Sequence, residues 1–399
     1  MLTKEENERI TRVGPGTPCG ALLRRYWQPV ALAADLTPER PKLRVRVLGE
    51  ELVVFRDEQG DYGCLAERCA HRGASLYYGF VEDCGIRCPY HGWKYATADG
   101  QCLEQPFEPA GSTYKDRVRQ RAYPVQRLAG LLFVYMGPQP APLLPRWDVC
   151  VREDGTRKIQ IQPPLRCNWL QAQENTADTV HTYYLHGHML KLMGRNDGAY
   201  FYRPIVKYDW DRCEWGITKI CHYGGEHPEI EIRPPLVFPN ILRIPQGFDE
   251  CLHWRVPIDD TTTRIFIMVF TPNKDGQRVE QPDAPPVEAV DQYLADGEFD
   301  LSNFYGQDRM AWETQGPLYD RSQEHLGATD RGIVLFRQLL AEQITVVEQG
   351  GEPMALVRDP AQNDVIAFES RSNAPEAVAT WSKLLDDRTA SSPTGTPVG

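Results

Sequence analysis

Leu43, Val45 and Val47 alternate with Arg44 and Arg46, a period of two that puts one apolar row on one side of a strand. Gly49 and Glu50 supply a turn, and residues 52–55 continue as a second strand, so the pattern predicts a half-buried hairpin. A further strand pair is expected at 123–136 around Gly130, making about 40–138 a small all-β unit. The run GPQPAPLLP at 137–145 suits neither a helix nor a central strand and marks a boundary. Beyond it the period changes. Residues 168–186 predict a helix with Leu170, Ala177 and Val180 among its apolar positions, and strands are expected at 199–208, 213–222, 236–244, 252–258 and 263–270. Helices resume near 308–315, 331–349 and 375–386. Residues 5–27 predict a short helix and a turn-rich loop, 273–291 a polar surface excursion, and 387–399 a disordered tail. The expected fold class is α+β, an N-terminal all-β domain at 41–140 followed at 141–386 by helices on an antiparallel sheet, with 1–40 packing against the larger domain.

Composition narrows the function. The 399 residues are too many for one comfortable core, and 41% hydrophobic with 25% charged side chains describes an ordinary globular chain. A net charge of −11, from 44 basic and 55 acidic residues without a dense basic block, argues against nucleic acid as a partner. The polar N-terminus lacks the apolar core of a signal peptide and no run is long enough to span a bilayer, so a cytoplasmic protein without membrane contact is expected. Eleven cysteines, an odd number without an export signal, point to reduced thiols, a few of them ligands.

The ligand candidates stand in CAHRGASLYYGFVEDCGIRCPYHGW, residues 69–93. Cys69 and His71, then Cys88 and His91, offer two thiolates and two imidazoles from two loops. Scattered core residues would be a coincidence at this spacing, and a structural zinc would accept the set. A Rieske 2Fe-2S cluster asks for more, one Cys and one His from each loop, and the order here provides that. A plant-type ferredoxin run fails, because Cys64 and Cys69 begin one that no later cysteine completes.

A second group lies in NWLQAQENTADTVHTYYLHGHM, residues 168–189. Asp178 and His181 are three apart and share a helix face. His181 and His186 are five apart, about 140° around an ideal helix, so both reach one metal only if the helix is distorted or ends between them. Gly187 is placed to end it, and His188 is expected to be structural.

CAHRGA with CPYHGW resembles the signature of the Rieske non-haem iron oxygenases, and Asp178-x2-His181-x4-His186 is similar to their mononuclear iron motif. LTKEENERITRVGPGTPCGALLRRYWQPV and QDRMAWETQGPLYDRSQEHLGATDRGI resemble the phthalate dioxygenase-type branch, which consists of α subunits only. The resemblance implies a Rieske domain and a helix-grip-like catalytic domain with an antiparallel sheet covered by helices. It assigns the cluster to Cys69, His71, Cys88 and His91, with Trp93 limiting solvent or simply packing. A mononuclear Fe(II) falls to His181, His186 and Asp308, with Glu313 in reserve. Asp178 would bridge His91 of one chain to His181 of another in a homotrimer, or a dimer of trimers, and Asn175 would lie near the iron. Electrons would come from NADH through a separate iron-sulfur flavin reductase. The implied reaction uses O2 to dihydroxylate an aromatic substrate, an aryl carboxylate or an aryl ether acid such as a phenoxybenzoate, with ether cleavage as one outcome. The alternatives are O- or N-dealkylation by monooxygenation and, in another class, an iron-sulfur electron carrier without oxygenase activity. Arg233 or Arg243 could partner a substrate carboxylate, with a surface or structural role the favoured reading for each taken singly, while Ile217, where phthalate enzymes are expected to carry an arginine, points away from phthalate itself.

Overall fold

A computed structural model describes residues 2–195, 201–225, 228–244, 250–368 and 371–372; the helix expected at 375–386 and the tail at 387–399 lie outside the described residues. The alternating segment forms the strand Lys42–Val47, paired antiparallel with Glu50–Arg56 so that Val47 faces Glu50. The loop between them has φ of 49° at Leu48 and 76° at Gly49, the positive pair that matches the twist of a two-residue hairpin. Tyr62–Ala66 completes this sheet, and Phe80–Glu82, Gly85–Arg87, Lys94–Ala96 and Cys102–Glu104 make a second one. Val53, Phe55, Leu65, Leu76 and Ile86 form the core that encloses Cys69 and Cys88. A third sheet joins Gln28–Leu32 to Leu131–Val134 and Val125–Leu128.

The larger part is a nine-stranded sheet. In chain order its strands are β1 (Gly155–Ile161), β2 (Ile205–Cys213), β3 (Gly216–Tyr223), β4 (Glu229–Val237), β5 (Ile241–Ile244), β6 (Glu250–Pro257), β7 (Thr263–Pro272) and β8 (Val287–Ala289). They lie in the order β2-β3-β4-β5-β6-β7-β1-β8, with Arg371–Ser372 paired to β4. Only the β1–β8 pair is parallel among the described strands. Helices α1 (Lys4–Thr11), α2 (Trp169–Ala177), α3 (Phe304–Glu313) and α4 (Arg331–Glu348) complete the frame, and Arg9 of α1 pairs with Glu348 of α4 at 2.7 Å. On β6, Cys251 packs with Ile265, Ile267 and Val269 against Trp312 of α3 and Ala172 of α2. Leu252 and Trp254 instead join the main core, which runs through Phe133 into the small sheets.

The sequence reading missed β1 and β4. Pro234 and Pro235 interrupt the strand signal of EIEIRPPLV, and the strand expected at 236–244 is the end of β4, a turn and β5. The strand expected at 199–208 is displaced to β2, and the polar excursion at 273–291 contains β8.

Candidate metal centres

The same turn is built twice around the paired cysteines. Cys69 N donates to Ala74 O at 2.8 Å and Gly73 N to Cys69 O at 2.8 Å; Cys88 N donates to Trp93 O at 2.8 Å and Gly92 N to Cys88 O at 3.1 Å. Gly73 and Gly92 sit at φ of 74° and 73°, where a side chain would be strained. The turns bury both thiols and hold the half-buried rings of His71 and His91 with centroids 4.7 Å apart. Trp93 stacks flat on His71, 4.1 Å away at 6°, so it shields a predicted ligand directly. The Tyr95 hydroxyl lies 3.1 Å from Cys69 Sγ, a contact the sequence reading did not single out. Burial, assisted by Cys69, raises the Cys88 pKa, so a cluster must displace protons to form. Two thiols and two imidazoles facing one another fit a Rieske cluster.

The helix expected at 168–186 is interrupted. Asn168 caps α2 by accepting from Leu170 N at 3.1 Å, the helix ends at Ala177, and Asp178 is extended at φ −81°, ψ 127°. Asp178 and His181 therefore do not share a helix face. Asp178 Oδ1 accepts instead from Val180 N at 2.7 Å and His181 N at 3.4 Å. Burial opposes its charge, but His181 and these two amides hold its pKa below the usual carboxylate value. The chain then winds as a π-helical turn over Thr182–His188, whose i to i+5 spacing removes the 140° offset and puts His181 and His186 on one side. Gly187 does not end the helix. It is buried because the chain at 201–202 crosses it, and a Cβ there would lie 2.9 Å from Tyr202 N.

α3 brings the third group. Asn303 caps it, accepting from Gly306 N at 2.8 Å, which sets Gln307 and Asp308 in its first turns. Ligand atoms of His181, His186 and Asp308 all lie within 4.8 Å of one another; Asp308 Oδ1 is 3.4 Å from His186 Nε2 and 4.0 Å from His181 Nε2. Burial would raise Asp308, but His186, His181 and Arg255 outweigh it and lower its pKa. Asp308 Oδ1 is buried without a hydrogen-bond partner, which a divalent cation bound to the carboxylate would relieve; His181 Nδ1, also unpartnered, faces Asp178 instead. Gln307, missed in the sequence reading, places Oε1 2.8 Å from His186 Nδ1 and donates to Leu301 O at 2.8 Å. Its position beside Asp308 was the available signal.

The Rieske [2Fe-2S] domain family matches residues 26–123 and the LigXa C-terminal domain like family matches 291–383. The chain is 38% identical over 381 residues to the 5,5'-dehydrodivanillate O-demethylase oxygenase subunit of Sphingobium sp. (strain NBRC 103272 / SYK-6), covering 92% of this chain and 86% of that one. It is 36% identical to the phenoxybenzoate dioxygenase subunit alpha of Ectopseudomonas oleovorans, covering 86% of each. The chain belongs to the Rieske aromatic-ring oxygenase α subunits. Its fold matches the carbazole-bound oxygenase in a ferredoxin complex of carbazole 1,9a-dioxygenase, with TM-score 0.57 at 21% identity over 89% of this chain and 99% of that one. Its matches make it the terminal oxygenase component of a Rieske system. Among its described residues no helix is long and apolar enough to cross a membrane.

The other residues singled out in the sequence take the following places in the oxygenase. Glu313 does not join the triad, because it is held by Arg166 at 3.0 Å, Arg309 at 2.9 Å and Tyr293 at 2.7 Å. Arg243 is fully buried between Asp148 at 2.8 Å and Glu250 at 2.7 Å, so it has no freedom to meet a substrate. Arg233 is engaged by Glu231 at 3.3 Å and the Tyr223 hydroxyl at 2.8 Å. Ile217 lies in the main core. His188 stacks on Tyr202 outside the triad, and Asn175 is half-buried on α2 without a hydrogen bond to any of the three.

Proposed function

We propose that this oxygenase uses O2 and electrons from NADH, delivered by a separate iron-sulfur flavin reductase, to dihydroxylate an aryl ether acid such as a phenoxybenzoate. The convergence of His181, His186 and Asp308 carries the reading. These three would hold Fe(II) as a facial triad, and the bound metal would supply open positions for dioxygen beside substrate. Gln307 accepts from His186 Nδ1–H and leaves Nε2 for the metal. Cys69, Cys88, His71 and His91 hold the cluster, and Trp93 keeps water from His71.

Electrons pass between chains in a head-to-tail trimer. Tyr78, Phe80, Tyr90, Phe107 and Tyr114 are exposed on the cluster-bearing part, with Tyr90 against His91, while Tyr184, Leu192 and Met193 are exposed on and just after the histidine-bearing turn. Two different apolar patches suit a heterologous contact that closes into a ring. Asp178 Oδ2 stands 3.6 Å from His181 Nδ1, placed between that ring on one side and His91 of a neighbouring copy on the other.

Iron and acid-labile sulfide, measured per chain, should show one more iron in the wild type than in a His181→Ala, His186→Ala double variant, at equal sulfide. Mixed trimers of a cluster-less Cys69→Ser chain and the double variant should recover activity that neither has alone; none recovered would rule out transfer between chains. A second reading, O-demethylation, is favoured by the relative at 38% identity. Formaldehyde released from a methoxylated aromatic acid, with no phenol released from phenoxybenzoate, would replace the first reading with it.

A further inference from the structure

We infer that Lys219 and Trp210 are positioning residues that hold open the break between α2 and the histidine-bearing turn, an inference that rests on reading His181, His186 and Asp308 as metal ligands. In an unbroken helix the carbonyls of Thr176 and Ala177 would accept from the amides of Val180 and His181. Here Thr176 O accepts from Lys219 Nζ at 2.9 Å and Ala177 O from Trp210 Nε1 at 2.9 Å. Both displaced amides turn to Asp178 Oδ1, which makes Asp178 a cap and leaves Oδ2 facing the His181 ring.

The two donors come from one rung of the sheet. Trp210 on β2 and Lys219 on β3 are direct antiparallel partners, so both side chains rise from the same place to two successive carbonyls. Lys219 is 7% exposed, and an ammonium so buried needs an acceptor. The near end of α4 is shaped around the same contact. A Cβ on Gly332 would lie 2.3 Å from Trp210 Nε1 and 2.6 Å from Ala177 O, wedged into the hydrogen bond. Three elements therefore converge on two carbonyls four and five residues before His181. Without the donors those carbonyls regain the amides, the helix runs on, and His181 leaves its place over Asp308.

The test is Co(II) titration of protein carrying its cluster, read by ligand-field absorption, with the Rieske EPR signal as the measure of folding. Lys219→Met removes the donor at nearly constant length and should weaken Co(II) binding by about tenfold to a hundredfold with the EPR signal kept. Lys219→Gln, which retains an N–H donor, should recover most of that loss. In metal-free protein, amide exchange over 178–188 should change in Lys219→Met and not in Lys219→Gln. Wild-type Co(II) affinity in Lys219→Met would overturn the inference and leave the metal reading standing. A wild type that binds no more Co(II) than the His181→Ala, His186→Ala variant would sink the metal reading itself. If Lys219→Met loses the EPR signal, Trp210→Phe and Gly332→Ala decide: weaker Co(II) binding with the signal intact supports the inference, and unchanged binding overturns it.

Discussion

A hydroxyl donating to a ligand sulfur draws charge from it and favours the reduced cluster. Tyr95, 3.1 Å from Cys69 Sγ, is placed to do this, and burial keeps its phenol protonated. Tyr95→Phe should lower the midpoint potential by on the order of 50 mV, the one-electron equivalent of roughly 1 kcal/mol; an unchanged redox titration would show that the contact does not tune the cluster. Gln307 offers the corresponding control on the other centre. Gln307→Leu frees the His186 ring and should cost about tenfold or more in Fe(II) affinity, measured by competition with a chelator. Tyr95 was illegible in the sequence and Gln307 had only its place beside Asp308 as a signal, because neither is a ligand; each matters only through the atom it touches. Glu313, held in reserve for Asp308, is set apart by the same kind of contact. Five residues separate it from Asp308 on α3, so it points away from the triad, toward Arg166 and Arg309.

Within the elements, the π-helical turn decides whether two histidines five apart can serve one ion. The spacing showed that a regular helix fails and asked for a distortion or an end between the histidines, with Gly187 offered for the end; the distortion is what forms. The remedy lies before His181, in the break after Ala177, and between the two histidines, in the wider turn. Gly187 instead permits close passage of the chain at 201–202. Gly187→Ala puts a methyl about 3 Å from that backbone, which should cost roughly 1–3 kcal/mol and weaken Co(II) binding together. Denaturant unfolding beside metal titration checks both, and a loss of stability without loss of affinity would mean that the crossing does not set the turn.

At the scale of the whole molecule, the main core runs from the small sheets through Phe133 and Trp254 into the large one, which ties the cluster's frame to the catalytic sheet. Acid should loosen this structure from within. Burial and the neighbouring Arg255 push His253 of β6 down to about 3, against about 6.5 for an unfolded histidine. Between those values the unfolded chain holds a proton that the folded chain refuses, so this contribution is full above about pH 6.5 and is lost as pH falls toward 3, at up to about 1.4 kcal/mol per pH unit. In His253→Gln the urea midpoint should fall less steeply between pH 6.5 and 4, and an identical slope would count against the assignment. The sequence by itself determined the hairpin at 42–56, the two cysteine–histidine turns and the residue types of both centres, because alternation, positive-φ glycines and ligand spacing are local properties. Only the tertiary structure decided that Asp308 rather than Glu313 meets the histidines, that Arg243 is held internally, and that Lys219 and Trp210 reach the end of α2. Those outcomes depend on which side chain faces which across chain separations that no local period records.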